Sequence, residues 1–110
     1  MIRKGLDGLD DAALMQIVAE YPLRFFTVHK LTSKIYDFLL EKEYIYDEET
    51  EMKKLNYKLR MHVVPRMQKE GLLVVTGRTQ RGVLYRKNDG AIRHLLDDEL
   101  YYTTAEVSRP

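Results

Sequence analysis

Apolar side chains recur at spacings of three and four along much of the chain, a pattern that predicts amphipathic helices. The first predicted helix ends at Pro22, since the residue before a proline is pushed out of the helical region. Asp7 or Asp10 is placed to cap its first turn with a side-chain oxygen. A very short strand over residues 23–26 is expected to follow. The apolar stripe of this helix consists of Leu9, Ala13, Ile17 and Tyr21, flanked by Leu14 and Val18.

The second predicted helix begins after Thr27, a residue type that caps helices well. The third predicted helix starts near Thr50 and contains Pro65, where a proline costs ~3 kcal/mol or more. We therefore expect either a kink near residues 61–64 or a break in which Pro65 opens a new turn. Gly71 is expected to supply the left-handed residue that ends this helix. The stripes are Val28, Leu31, Ile35, Phe38 and Leu39 in the second helix, and Met52, Leu55, Leu59 and Val63 in the third.

Two β-prone runs, residues 72–75 and 83–86, flank a polar turn and predict a hairpin. The predicted turn spans residues 76–82, with Gly77 and Gly82 at its shoulders. A short amphipathic fourth helix is expected over residues 90–102. The predicted organisation is a flexible arm over 1–8, one domain over 9–102 that ends in this C-terminal helix, and a loose tail over 103–110. The predicted fold class is α+β and mostly α, with a three-helix core, a β-hairpin and a C-terminal helix.

Charge is distributed unevenly along the chain, although the whole protein carries a formal charge of only +1. Residues 53–87 contain ten basic residues and a single acid, Glu70, which gives this span a formal charge of +9. Residues 37–51 contain seven acids and one base and carry −6. Acidic and basic blocks therefore adjoin each other, which indicates a polarised surface with an anionic partner for its basic part.

Composition excludes several classes of protein. The chain has 110 residues, which suits one domain, and no apolar run approaches the roughly 20 residues needed to cross a bilayer. It has no cysteine, so it has neither a disulfide framework nor a thiolate metal site. We expect a soluble protein that is cytoplasmic or nucleoid-associated, with no membrane partner.

No arrangement of residues typical of an enzyme is found. His29, His62 and His94 stand apart, and none has the i, i+4 spacing of a helical metal pair. Gly77 and Gly82 belong to the predicted hairpin tip and not to a strand–helix junction, so they do not form a phosphate-binding loop. We therefore expect no catalytic residues, no metal and no cofactor.

Two segments resemble the winged helix-turn-helix superfamily of DNA-binding domains. One is Phe26-Thr27-Val28-His29-Lys30-Leu31, which enters the second helix, and the other is Val63-Val64-Pro65-Arg66-Met67-Gln68-Lys69-Glu70-Gly71-Leu72-Leu73. The second is similar to the signature in which a Lys-Glu-Gly-Leu ends the third helix and leads into the wing. The resemblance covers residues 9–87. The chain departs from the family pattern at Pro65 and in a longer, acidic connection between the second and third helices.

The resemblance implies that the third helix enters the major groove while the hairpin, as a wing, contacts the backbone or the minor groove of double-stranded DNA. Stepping 100° per residue from a core-facing Leu59 places Lys53, Lys54, Tyr57 and Met61 on the outer face, with Lys58 and Arg60 beside them. An arginine at a hairpin tip suits a narrow minor groove. The predicted contacts are Lys53, Lys54, Tyr57, Lys58 and Arg60 in the helix, and Arg78, Thr79, Gln80, Arg81 and Arg86 in the wing.

Other interpretations stay open at this point. The helix can present an ordinary solvated lysine face, and charge at a hairpin tip can protect a sheet edge. RNA is an alternative nucleic acid. The domain can also be a protein-interaction winged helix in a replication, repair or transcription assembly instead of a small transcriptional regulator. In that case the acidic connection and the tyrosines are the working surfaces.

The chain has eight tyrosines, and tyrosine is enriched at interfaces. This excess favours a homodimer formed through the C-terminal helix and tyrosines such as Tyr44, Tyr46, Tyr101 and Tyr102. A two-fold dimer would separate two DNA-reading helices by about 34 Å, one turn of DNA. Alternatively, the tyrosines pack over the ends of their own domain.

Overall fold

A computed structural model describes residues 5–93 of the chain. The order of elements is a 3-10 turn (Leu6–Gly8), α1 (Asp11–Glu20), β1 (Phe25–Phe26), α2 (Val28–Glu41), α3 (Glu49–Lys58), a π-helical turn (Leu59–Val63), α4 (Val64–Lys69), β2 (Leu73–Thr79) and β3 (Gly82–Lys87). Residues 89–93 are helical. The predicted α+β, mostly α class is confirmed. Most of the predicted C-terminal helix and the predicted tail lie outside the described residues.

The three strands form one antiparallel sheet in the order β1-β3-β2. Phe25 and Phe26 of β1 pair with Arg86 and Tyr85 of β3, so β1 covers only one end of that strand. The helices pack on the sheet around a single core cluster. Its fully buried members include Leu14, Val18, Phe26, Leu31, Ile35, Leu39, Leu55, Leu59, Met67 and Leu73.

Side-chain caps begin α1 and α2 as predicted. Asp10 accepts a hydrogen bond from the Ala13 amide at 2.8 Å, and Thr27 Oγ1 accepts one from the Lys30 amide at 3.3 Å. The buried face of α1 differs from the predicted apolar stripe by one position along the sequence. Leu14, Met15, Val18 and Ala19 are its buried residues, whereas Leu9, Ile17 and Tyr21 pack at the edge of the core.

The expected disturbance at Pro65 takes the form of a π-helical turn between α3 and α4. The three segments are continuous over residues 49–69 and are together called the long helix. A proline at position 65 has no N–H for the Met61 carbonyl, and its ring crowds that carbonyl. The backbone widens just before it, and the Val64 amide donates to the Leu59 carbonyl, five residues back. Pro65 then lies in the first turn of α4, where its missing N–H does least harm. Gly71 follows with φ 79°, as predicted.

Residues 5–8 were predicted to be part of a flexible arm, and for them this is wrong. Leu6 is fully buried, and its amide donates to Glu51 Oε2 at 2.9 Å. The Gly5 amide donates to the Tyr44 carbonyl at 2.9 Å, with Gly5 at φ 111°, a value that favours glycine. A single leucine between two glycines has no periodicity, so the sequence pattern carried no sign of this packing.

The hairpin is longer, and its tip tighter, than predicted. β2 continues to Thr79 and β3 begins at Gly82, so the turn itself consists of Gln80 and Arg81. Thr79 Oγ1 accepts from the Arg81 amide at 3.1 Å and donates to the Gly82 carbonyl at 3.2 Å. Gly77 lies within β2, next to a bulge between Val75 and Gly77, and not at a shoulder of the turn.

Candidate nucleic-acid interface

The outer face of α3 and of the π-helical turn carries the predicted mixture of cations and apolar groups. Lys53, Lys54 and Arg60 are exposed, and Tyr57 and Met61 expose 58% and 53% of their surface. Tyr57 and Met61 are large apolar side chains, and an exposure above one half is high for both. This face therefore offers apolar contact as well as positive charge.

Three lysines of α3 have acidic neighbours. Lys53 pairs with Glu49 at 3.3 Å and Lys54 with Asp7 at 3.6 Å, and both lysines stay exposed. Such surface pairs are worth ~0–1 kcal/mol and are easily exchanged for another anion. Lys58 is half-buried against α1, 4.0 Å from Asp11 and 3.5 Å from the Leu9 carbonyl. Lys58 therefore holds α3 to the start of α1 and is the least available of the predicted helix contacts.

The π-helical turn changes which side chains meet on this face. Positions five apart are about 140° apart around a regular α-helix and do not touch. Tyr57 and His62 are five apart, yet their rings meet edge to face at 5.7 Å between centroids. The widened turn brings His62 back beside Tyr57, and π-helical turns of this kind are frequent at functional sites.

Three neighbouring hollows are lined by residues of the long helix, α2 and the hairpin. The largest, about 740 Å³, lies between α2 and α3, and we call it the α2–α3 groove. The second, about 530 Å³, lies between α2, β1 and the hairpin, and the third, about 240 Å³, lies between α2, the π-helical turn and the hairpin. His29 lines all three, Arg60 lines the first and third, and Arg81 lines the second and third.

His29 and the lysine and arginine side chains around these hollows are called the basic surface. Within residues 5–93, neither Arg60 nor Arg81 forms an ion pair with a carboxylate. The members of the basic surface are His29, Lys30 and Lys34 of α2, Lys53 of α3, Arg60 of the π-helical turn and Arg81 of the hairpin.

The remaining predicted wing residues are placed differently from Arg81. Arg78, Thr79 and Gln80 are exposed at the hairpin end but do not line the three hollows. Arg86 is half-buried and donates to the Lys87 carbonyl at 3.3 Å. Arg81 is thus the hairpin residue that the fold brings to α2 and Arg60.

Lys87 contributes to the positive charge of the sequence but not to the basic surface. It is 3% exposed and donates to the carbonyls of Ala19 and Tyr21 at the end of α1. Burial lowers its pKa from the usual 10.5 to about 8, while the nearby Asp89 carboxylate acts in the opposite direction. Its role is to join the end of β3 to α1.

Sequence reasoning missed His29, Lys30 and Lys34 as site residues. All three are exposed on the first two turns of α2, opposite its buried stripe. The available signal was the positive charge on the polar side of α2. This charge indicates a binding site only once the hairpin tip is known to lie beside α2.

Between residues 5 and 93, no group of three or more histidine or acidic side chains is placed to hold a metal ion. No helix in that range is long and apolar enough to cross a bilayer. Comparisons of the chain with protein-family models, curated proteins and solved structures find no match.

Proposed function

We propose that the chain is a winged-helix domain that binds double-stranded DNA through the basic surface. The order helix, strand, helix, helix, hairpin and the sheet order β1-β3-β2 support this assignment. In this proposal the long helix enters the major groove, and the hairpin tip and the first turns of α2 contact the flanking backbone. A small transcriptional regulator is the role that fits best.

The observation that carries the proposal is the meeting of Arg60, Arg81 and His29 in one hollow. These residues come from three elements that are separate in the sequence. Charge scattered over a surface is worth little, but two arginines from separate elements on one concave surface, with a histidine beside them, match a line of phosphates. Exposed guanidinium groups without a carboxylate partner do not have to break an ion pair before they bind.

The proposed contacts fall into two classes. Lys30, Lys34, Lys53, Arg60 and Arg81 bind phosphates, which fixes orientation without reading sequence. Tyr57 and Met61, on the exposed face of the long helix, contact base edges, where apolar groups meet the thymine methyl. Lys54 is a further phosphate contact once it leaves Asp7, and Arg78 is a further contact at the end of the wing.

The proposal is tested by fluorescence anisotropy with a labelled random duplex at 50 and 200 mM salt. If six cations contact phosphates, the affinity falls about 10³-fold over this range. Binding that does not respond to salt, or no binding at the lower concentration, contradicts it. A parallel titration with an RNA duplex of the same length separates the two nucleic acids, because their groove dimensions differ.

A second candidate is a protein-interaction module, favoured by a separate exposed surface. Tyr44 and Tyr46 expose 48% and 49% of their surface next to the acids of residues 47–49. Tyrosines of this exposure beside carboxylates suit a basic protein partner. Absence of duplex binding at low salt, together with capture of a partner that is lost on Tyr44→Ala and Tyr46→Ala, would favour this function over DNA binding.

A further inference from the structure

The α2–α3 groove is large enough to hold a small planar group. Its volume of about 740 Å³ lies within the range of pockets that enclose small organic ligands. Its walls belong to two helices, with His29 on α2 and Tyr57 on α3, so aromatic rings are available from both sides. A base inside a duplex is stacked on both faces and presents only an edge, so it cannot enter such a groove.

The groove carries polar groups whose orientation is fixed. The Thr32 hydroxyl donates to the Val28 carbonyl at 2.8 Å and therefore accepts from the Asn56 side chain, at 3.1 Å. This arrangement commits the amide nitrogen of Asn56 to Thr32 and leaves its oxygen, Oδ1, as the acceptor offered to a ligand. Ser33 adds a hydroxyl on the α2 side. Hydrogen-bonding groups of this kind can read the edge of a single base.

The charge around the groove suits a nucleotide better than an uncharged ligand. Lys53 and Arg60 line the groove on the α3 side, and Arg60 also borders the hollow shared with Arg81. A base inserted into the groove would leave its 5′ and 3′ phosphates near these cations. The ring of Tyr57 has an edge-to-face contact with His62 and is 58% exposed, so it is accessible to a base that stacks on it.

From these features we propose that the α2–α3 groove binds one unpaired nucleobase. This inference rests on the proposed function and narrows it: the preferred substrate is a DNA duplex that carries an extrahelical base. The unpaired base stacks on Tyr57 inside the groove, Asn56 Oδ1 and Ser33 meet its edge, and the basic surface holds the duplex on either side. An already unpaired base enters without the cost of breaking a pair, which is the source of the preference.

The test compares a perfect duplex of about 20 base pairs with the same duplex carrying one unpaired thymine, both labelled and titrated at one low salt concentration. We expect the bulged duplex to bind about tenfold more tightly. Tyr57→Ala reduces this ratio to about one, while Tyr57→Phe keeps it because the ring remains. Tyr46→Ala is the matched control, since Tyr46 is similarly exposed but lies outside the groove, and it leaves the ratio unchanged.

The outcomes separate this inference from the function on which it rests. Equal affinity for the two duplexes overturns the base-binding groove and leaves DNA binding intact. A ratio that survives Tyr57→Ala overturns it as well. Failure to bind either duplex overturns both. As a direct readout, 2-aminopurine at the unpaired position should lose fluorescence when it stacks in the groove, and unchanged fluorescence in the bound complex contradicts the inference.

Discussion

Arg60 and Arg81 line the same hollow, although one lies on the π-helical turn and the other at the tip of the hairpin. His29 of α2 lines that hollow with them. This relationship joins the long helix, α2 and the hairpin into one basic surface. The proposed binding of DNA depends on this surface.

Replacing both arginines should weaken DNA binding and make it less dependent on salt concentration. The double variant Arg60→Ala/Arg81→Ala is expected to reduce the slope of log affinity against log salt by about two, one for each lost contact. Isothermal titration calorimetry or fluorescence anisotropy at a series of salt concentrations measures this slope.

Arg66→Ala is the matched control for that variant. Arg66 pairs with Glu70 at 3.0 Å and lines none of the three hollows, so its loss removes the same charge from a different place. If Arg66→Ala reduced the slope as much per residue, net charge and not the basic surface would determine binding.

The packing of Leu6 predicts a large loss of stability on truncation. Leu6→Ala removes a fully buried side chain and should lower the free energy of unfolding by about 3 kcal/mol. Met61→Ala, at an exposed position, should change it by less than about 1 kcal/mol. Urea denaturation of the two variants makes the comparison. Equal, small effects would mean that residues 5–8 do not pack in solution.

The buried Lys87 predicts a stability that rises with pH. Its pKa is about 8 in the folded protein and 10.5 when exposed, so between these values the unfolded chain binds more protons. Stability therefore increases as the pH rises through this window, by up to about 1.4 kcal/mol per unit and about 3 kcal/mol in total.

The Lys87→Met variant lacks this titration and supplies the reference. The free energy of unfolding of the native chain minus that of the variant should increase between pH 7 and pH 10.5, because all other groups titrate in both proteins. A difference that stays constant, or that falls, across this range would contradict the burial of the charged amine.

The hydrogen bond between Asn56 and Thr32 connects α2 to α3 and supports the floor of the groove. A double-mutant cycle with Asn56→Ala and Thr32→Val should give a coupling free energy of about 1 kcal/mol. Each single variant is expected to be destabilised, because the partner group loses its bond in a half-buried place. Additive effects in the cycle would mean that the two side chains do not interact.

Local features of the fold could be predicted from the sequence because their causes are local. Asp10 was one of two candidate caps for α1, Thr27 was predicted to cap α2 and Gly71 to end a helix in the left-handed conformation, all from rules that involve only a few neighbouring residues. The disturbance before Pro65 followed from the loss of one N–H. Its π-helical form did not, because a kink, a break and a widened turn can each accommodate the missing N–H.

What the sequence could not provide are the contacts between distant segments. The burial of Leu6 depends on Glu51, and the position of Arg81 beside His29 depends on how the sheet packs on α2. Lys87, counted with the basic residues, turns inwards because the end of α1 offers carbonyl groups there. Hydrophobic periodicity and charge counts describe neighbouring residues, so they do not predict such contacts.

An NMR titration of the backbone amides with a random DNA duplex at low salt tests most directly whether the basic surface binds DNA. If it does, the amide signals of His29, Arg60 and Arg81 shift together at the same DNA concentration, while those of residues 44–47 stay in place. Shifts confined to residues 44–47, or no shifts at saturating DNA, would contradict the assignment of the basic surface as the nucleic-acid interface.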